Sequence, residues 1–246
     1  MKFLVCITKT PDTTAPVTFS ADHTQYNSAG VQFIINPYDE WYALVRAVEL
    51  KEALGGTVTV LNVGPKDNEI LIRRAIAIGA DEAARIDAEP TSARFVAQQI
   101  ADFAQKGGFD VIFLGKETID FNGSEVGGMV AELLDMPFIS YASKLDLSGN
   151  TATVTRDIEG GTEVVQVDAP FVVSASKGMA EQRIANMRAI MMAKSKPLAT
   201  IAATPVAETS AITQFSLPPA KSSVQMLEPD QMAELVRLLH EDAKVI

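Results

Sequence analysis

The sequence predicts an α/β fold built on a mostly parallel sheet with helices on both faces. Short apolar runs at residues 3–7, 58–63, 83–86, 111–114 and 171–174 alternate with segments of helical spacing, the pattern of successive βα units. The run Val111-Ile112-Phe113-Leu114 is apolar at every position, as a strand covered on both faces requires. The segment after that run is small, polar and glycine-bearing, and helical spacing resumes at Met129.

The elements follow in order. Residues 3–7 form the first strand, and Cys6 lies inside it as the only cysteine, so an intrachain disulfide, a paired-cysteine redox motif and a cysteine-ligated iron–sulfur cluster are all excluded. Burial as a small hydrophobe is its expected role. Asn36-Pro37 reads as a helix start: Asn36 can cap free N–H groups, Pro37 suits the first turn, and Asp39 and Glu40 complement the dipole. That helix is expected to reach Leu54 and stop at Gly55-Gly56. A second helix follows Gly64-Pro65 and ends at Gly79 as a left-handed residue; a third covers residues 92–106, with Phe95, Val96, Ile100 and Phe103 on one stripe. Residues 129–134 form a short helix.

After Pro137 the character changes to antiparallel. Residues 139–147 and 151–158, divided by Ser148-Gly149-Asn150, read as a hairpin, and residues 163–167 follow the Gly160-Gly161 turn as a third strand. Residues 197–227 hold Pro197, Pro205, Pro218 and Pro219 among small polar residues, which predicts an extended segment lying on a surface or a partner. The tail regains helical spacing, with Met232, Leu235, Val236 and Leu239 on one face and Pro229 placed for the first turn. Such a helix either folds back on its own domain or docks on another subunit. The expected division is therefore an α/β domain over residues 1–196 and an arm over 197–246.

Composition narrows the function classes. A formal charge of −10 over 246 residues argues against nucleic acid, whose recognition needs a cationic surface. No apolar run approaches the roughly 20 residues that cross a bilayer, so no membrane insertion is expected. The start Met1-Lys2-Phe3-Leu4 has no small-residue cleavage site and reads as a strand, which gives a cytoplasmic expectation for a bacterial source. His23 and His240, in a polar turn and at a charged helix end, read as surface residues; no catalytic triad and no metal site is expected.

The loop from Gly115 to Val126 is the most informative segment. A strand that opens through a small polar loop into a helix N-terminus presents unpaired N–H groups and the positive end of a dipole, which together suit a phosphate. An ordinary connection with no ligand is the competing reading of this segment taken alone. Cys6, Val63 and Gly115 all fall at carboxyl ends of predicted parallel strands, where ligands of open α/β sheets bind. Ser124 adds a hydroxyl donor.

Four segments in this order resemble the β subunit of electron transfer flavoproteins: Asn36-Pro37-Tyr38-Asp39-Glu40; Val63-Gly64-Pro65 with residues 72–81; the Gly115–Gly127 loop; and Arg156-Asp157-Ile158-Glu159-Gly160-Gly161. The resemblance spans nearly all of residues 1–196 and implies a Rossmann-like fold, to which the residues read above add antiparallel strands and an extended C-terminal arm. It implies one subunit of a heterodimeric carrier that does no bond chemistry itself. The working FAD is then held mainly by the α subunit, while this chain buries AMP in a structural role, or a second FAD as in bifurcating members. Electrons pass from dehydrogenases, such as the acyl-CoA dehydrogenases of fatty acid oxidation, to a quinone-linked oxidoreductase. The positions that match the family's nucleotide contacts are Cys6, Asn36, Pro37, Tyr38, Asp39, Val63, and, in the loop, Gly115, Lys116, Ile119, Asp120, Asn122, Gly123, Ser124, Glu125 and Val126.

Some positions depart from the family pattern. The loop's acid-rich stretch is Asp120-Phe121-Asn122-Gly123 here, and Glu125 stands where an amide is usual, so its carboxylate has to point away or pair with a cation. The partner-recognition segment is also altered, and Met187 takes the place of an exposed leucine that anchors dehydrogenases; the alternative is that Met187 is core. Asp157 matches an acid near the flavin at the subunit interface, or is a solvated strand-end carboxylate. A nucleotide-hydrolysing adenylation enzyme would need a Ser-Gly-Gly-type loop after the first strand, where this chain has Thr8-Lys9-Thr10-Pro11-Asp12. A stand-alone adenine-nucleotide-binding protein would have little use for the arm and tail.

Overall fold

The structure is a computed structural model, and it describes residues 1–221 and 224–246. Eleven strands and six α-helices are described among these residues. In chain order they are β1 Lys2–Cys6, β2 Lys9–Pro11, β3 Phe33–Ile35, α1 Asp39–Leu54, β4 Thr57–Val63, α2 Glu69–Ile78, β5 Glu82–Asp87, α3 Ala93–Gly107 and β6 Val111–Gly115. Then come α4 Val126–Leu134, β7 Phe138–Ser148, β8 Thr151–Ile158, β9 Gly161–Asp168, β10 Phe171–Ala175, α5 Met187–Ser195, β11 Ala199–Ala202 and α6 Met232–Arg237.

Nine strands form one sheet in the order β11-β5-β4-β1-β6-β10-β7-β8-β9, parallel from β11 through the β10–β7 pair and antiparallel across β7, β8 and β9. Side chains alternate across it as strand geometry dictates. Phe3 and Val5 of β1 with Val111 and Phe113 of β6 face one core, closed by α1, α2 and Ala193 of α5. Leu4, Cys6, Ile112 and Leu114 face the other, closed by α3 and α4. Both faces of the central strands are thus dry, which accounts for their unbroken apolar runs.

Several sequence expectations are corrected here. Asn36 does not cap α1: the helix starts at Asp39, Tyr38 holds the N-cap position at φ 65° with no side-chain cap, and Pro37 lies before the first turn. The Asn36 amide has instead been drawn into the loop after β6. Ser92 does cap α3, accepting the Phe95 N–H at 3.0 Å. The helix α4 starts three residues earlier than its apolar spacing suggests, because Val126-Gly127-Gly128 carries no side-chain stripe to read. The antiparallel pair of β2 with β3 has no counterpart in the sequence reading, since three-residue strands leave almost no period-2 signal.

The arm is not wholly extended. Its residues Ala199–Ala202 add β11 to the sheet beside β5, and Gln99 of α3 holds the Thr204 backbone from both sides, at 2.9 and 2.8 Å. Thr91 and Ser92 donate to Glu208, and Phe215 stacks on Phe19 with ring centres 5.1 Å apart. Positions 222–223 of the expected extended segment lie outside the described residues. The tail helix is shorter than expected, six residues from Met232 followed by a π turn over Leu238–Asp242, with Pro229 in the turn before it. No described helix is long and apolar enough to cross a membrane.

Candidate functional site

The chain runs β1, β4, β5 outward on one side of β1, then returns to place β6 and β10 on the other. The connections therefore part company between β1 and β6, and the switch point above their carboxyl ends is the usual ligand position of open α/β sheets. Three segments reach that point: Thr8 beyond β1, the Asn36–Glu40 turn into α1, and the loop after β6.

Asn36 is fully buried and ties the second segment to the third. Its Nδ2 donates to the Glu117 carbonyl at 2.8 Å, and its Oδ1 accepts the Ile119 N–H at 3.0 Å. Glu40 ties the second to the first: its carboxylate accepts the Thr8 N–H at 2.6 Å and the Thr8 hydroxyl at 2.8 Å. Gly115 sits against that carboxyl stem, and a Cβ at position 115 would fall 2.8 Å from Glu40 Cγ. Glycine is required there by contact, not by backbone angle. The Lys116 amide continues the sheet, donating to the Ala175 carbonyl at 2.9 Å.

Beyond Ile119 the loop closes on itself, the Asn122 N–H donating to the Thr118 carbonyl at 2.9 Å. Asn122 and Ser124 take positive φ values of 49° and 52°, which are uncommon outside glycine and mark a backbone shape that the surroundings impose. Among the described residues, the amides of Gly123, Ser124, Glu125 and Val126 have no hydrogen-bond acceptor. Those of Glu125 and Val126 are free donors at the start of α4, and those of Gly123 and Ser124 belong to the loop just before it. Ser124 Oγ donates to Glu117 Oε2 at 2.9 Å, Lys116 Nζ lies 3.3 Å from Glu117 Oε1, and the Tyr141 hydroxyl is 3.4 Å from Ser124 Oγ.

The electrostatics are unusual for an anion site. Burial pushes the Glu40 carboxyl up to about 8, against the lowering effect of its bonds to Thr8 and with help from the charges of Asp39 and Asp120. Burial also lifts Asp39 to about 6, although the Lys116 ammonium pulls it down. The Cys6 thiol is pushed far up by burial and then by Glu40, so it is an inert apolar wall, in keeping with its setting in the strand. Burial works against Lys116, yet Glu117 and Asp39 hold its pKa above the ordinary lysine value.

Of the residues singled out from sequence, the structure brings Cys6, Asn36, Asp39 and the Gly115–Val126 loop to the carboxyl ends of β1 and β6. Val63 shares the core cluster of Cys6 one strand away, while Tyr38, Asp120 and Asn122 are turned outward. Glu125 is exposed, and no described cation pairs with it. Asp157 lies apart, at the end of β8, where the hydroxyls of Ser143 and Ser176 approach it at 3.3 and 3.5 Å. Met187 begins α5, which Asn186 caps by accepting the Ala189 N–H at 2.9 Å; with 73% of its surface exposed, Met187 is not core.

Thr8, Glu40 and Tyr141 join the site from the structure and not from the sequence reading, and Glu117, inside the loop already singled out, takes its particular role from the structure. Glu40 could have been found from its place at the end of the Asn36–Glu40 motif. Nothing in the sequence announces Tyr141, which reaches the loop from a bulge in β7 at φ 56°.

Comparison with known proteins agrees with this geometry. The profile of the electron transfer flavoprotein domain matches residues 24–206. The chain is 36% identical to the electron transfer flavoprotein subunit beta of Bacillus subtilis (strain 168) and 32% to that of Bradyrhizobium diazoefficiens, in both cases over the full length of both chains. It is 35% identical to the acryloyl-CoA reductase electron transfer subunit gamma of Anaerotignum propionicum, over 80% of this chain and 76% of that one. The coverage and identity, on a mostly parallel sheet with a small polar loop beyond β6, lead to one conclusion: this chain belongs to the electron transfer flavoprotein family, as a β subunit.

Proposed function

We propose that this chain is the non-catalytic half of a heterodimeric electron carrier and that it holds AMP in a structural role above β1 and β6. The observation that carries this reading is the set of amides at Gly123–Val126, without an acceptor among the described residues, which leads into the start of a nine-residue helix beside a hydroxyl and an ammonium. These donors fit a phosphate, and the apolar Cys6 and Val63 fit an adenine ring. FAD, held mainly by the α subunit, supplies the redox chemistry; this chain orients the pair and excludes water from its own nucleotide.

Residues 197–246 are the arm by which the two subunits dock. Supporting this, among the described residues Phe215 is the last of the arm with a hydrogen bond or ring contact to the α/β domain, and the apolar Met226, Met232 and Val236 beyond that point are exposed. Asp157 stands at the flavin interface. Met187 is the anchor for the donor, a dehydrogenase of the acyl-CoA class, and a quinone-linked oxidoreductase takes the electrons onward.

A second FAD in place of AMP is favoured by one observation. Asp39, Glu40, Glu117, Asp120 and Glu125 all lie in or beside the cradle, and Lys116 is the cation paired within it. A phosphomonoester carries about −1.5 to −2 on one phosphorus, whereas each phosphate of a dinucleotide carries a single charge. Denaturing the purified heterodimer and separating the released nucleotides decides between them. One FAD with one AMP is expected, two FAD would replace AMP by the second reading, and a single FAD alone would refute the cradle.

A further inference from the structure

We propose that the Glu117 carboxylate is an internal anion that occupies the phosphate seat of the cradle and is displaced when nucleotide binds. The inference rests on the nucleotide reading above and adds to it a competitor built into the chain.

Glu117 is held in place through its backbone, because the buried Asn36 amide grips its carbonyl at 2.8 Å. Its side chain then reaches across seven residues to take the Ser124 hydroxyl at 2.9 Å and lies 3.3 Å from the Lys116 ammonium. Those are the hydroxyl and the ammonium that the cradle offers to an anion. Among the described residues the neighbouring amides of Gly123–Val126 have no acceptor, so two-oxygen carboxylate occupancy satisfies the side-chain donors and leaves the backbone donors open. A phosphate, with more oxygens, can satisfy both sets at once.

The surroundings support exchange. About a quarter of the Glu117 side chain is exposed, so the carboxylate can swing into water without crossing the core. The Tyr141 hydroxyl stands 3.4 Å from Ser124 Oγ, long for a pair of hydroxyls, and is free to turn to a new acceptor. The Lys116 ammonium sits 5.7 Å from the centre of the Tyr141 ring, which keeps it at the cradle mouth when Glu117 leaves. Ser124 and Tyr141 both hold positive φ, so the two groups flanking the seat are fixed by backbone shapes that ordinary loops avoid.

The test compares the wild-type heterodimer with its Glu117→Gln and Glu117→Asp forms in equilibrium binding of labelled AMP, with FAD as a second probe. Glutamine keeps the shape and removes the charge, so AMP should bind about tenfold tighter or better. Aspartate is one methylene too short to reach Ser124, and its affinity should fall between the two. Unchanged binding in Glu117→Gln, or weaker binding as expected of a carboxylate that holds ribose hydroxyls, would overturn the competitor. A wild-type protein that binds neither probe would instead remove the nucleotide reading itself, and the two failures are told apart by the wild-type arm.

Discussion

Replacing Glu40 by glutamine should change how stability depends on pH while leaving the site's shape intact. The wild-type carboxyl accepts the Thr8 N–H on one oxygen and meets the Thr8 hydroxyl with the other. Protonated, it can donate to that hydroxyl, and the glutamine amide reproduces the arrangement with its NH₂ in place of the O–H. A carboxyl that holds its proton more tightly in the folded chain favours the fold fully below its unfolded pKa and loses that advantage as pH rises through the folded value. For Glu40 the window runs from about 4.5 to about 8. At about 1.4 kcal/mol per unit, ionising it costs the fold on the order of 5 kcal/mol. The variant should therefore match the wild type near pH 5 and exceed it increasingly toward pH 8. Urea unfolding of the full chain at a series of pH values, with the nucleotide content held fixed, gives the difference curve. Asp39 also titrates in this window, its carboxyl raised to about 6, and it is common to both proteins. Parallel stability–pH curves for the two proteins would refute the assignment of a buried, proton-holding carboxyl to Glu40.

Asn36→Ala removes both bonds that pin the loop and leaves a half-buried carbonyl and amide without their partner, at a cost of about 1–3 kcal/mol. Hydrogen exchange should show the Ile119 amide losing protection first, and unchanged protection there would discard the pinning role. Met187→Ala should lower the rate of reduction by the donor dehydrogenase about tenfold, the worth of an apolar side chain buried on docking, while flavin and nucleotide contents stay as they were. Stopped-flow reduction measures it, and unaltered kinetics would remove Met187 as the anchor.

Most of the framework is legible in the sequence because its signals are local. Strands buried on both faces read as apolar runs, Gly55, Gly79 and Gly108 mark the helix ends they occupy, and the Ser148-Gly149-Asn150 turn sets the hairpin register. The failures come where a side chain is satisfied by a residue far away in the chain. Asn36 has the composition of a cap and the position of one, yet its partners lie more than 80 residues on, in a loop whose own needs are invisible at residue 36. Strand β11 is illegible for a related reason: Ala199–Ala202 has no periodicity of its own and exists because β5 presents a free edge. Tyr141 requires a bulge that arises from β7 pairing with β10 on one side and β8 on the other, a tertiary fact.

The same long-range dependence explains why the cradle is built from so few side chains. Thr8, Glu40 and Gly115 form one contact chain, since the carboxyl that fixes the end of β1 is also the surface against which the end of β6 is pressed. Asn36, four residues earlier on the same turn, fixes the loop that leaves β6. A single turn before α1 therefore sets the spacing of both strand ends and the path of the loop, so that the free amides at the start of α4 are aimed by elements outside the loop. Two of the four segments that resemble electron transfer flavoproteins, Asn36–Glu40 and Gly115–Gly127, are thus joined directly through Asn36, and a change in one should be read as a change in both.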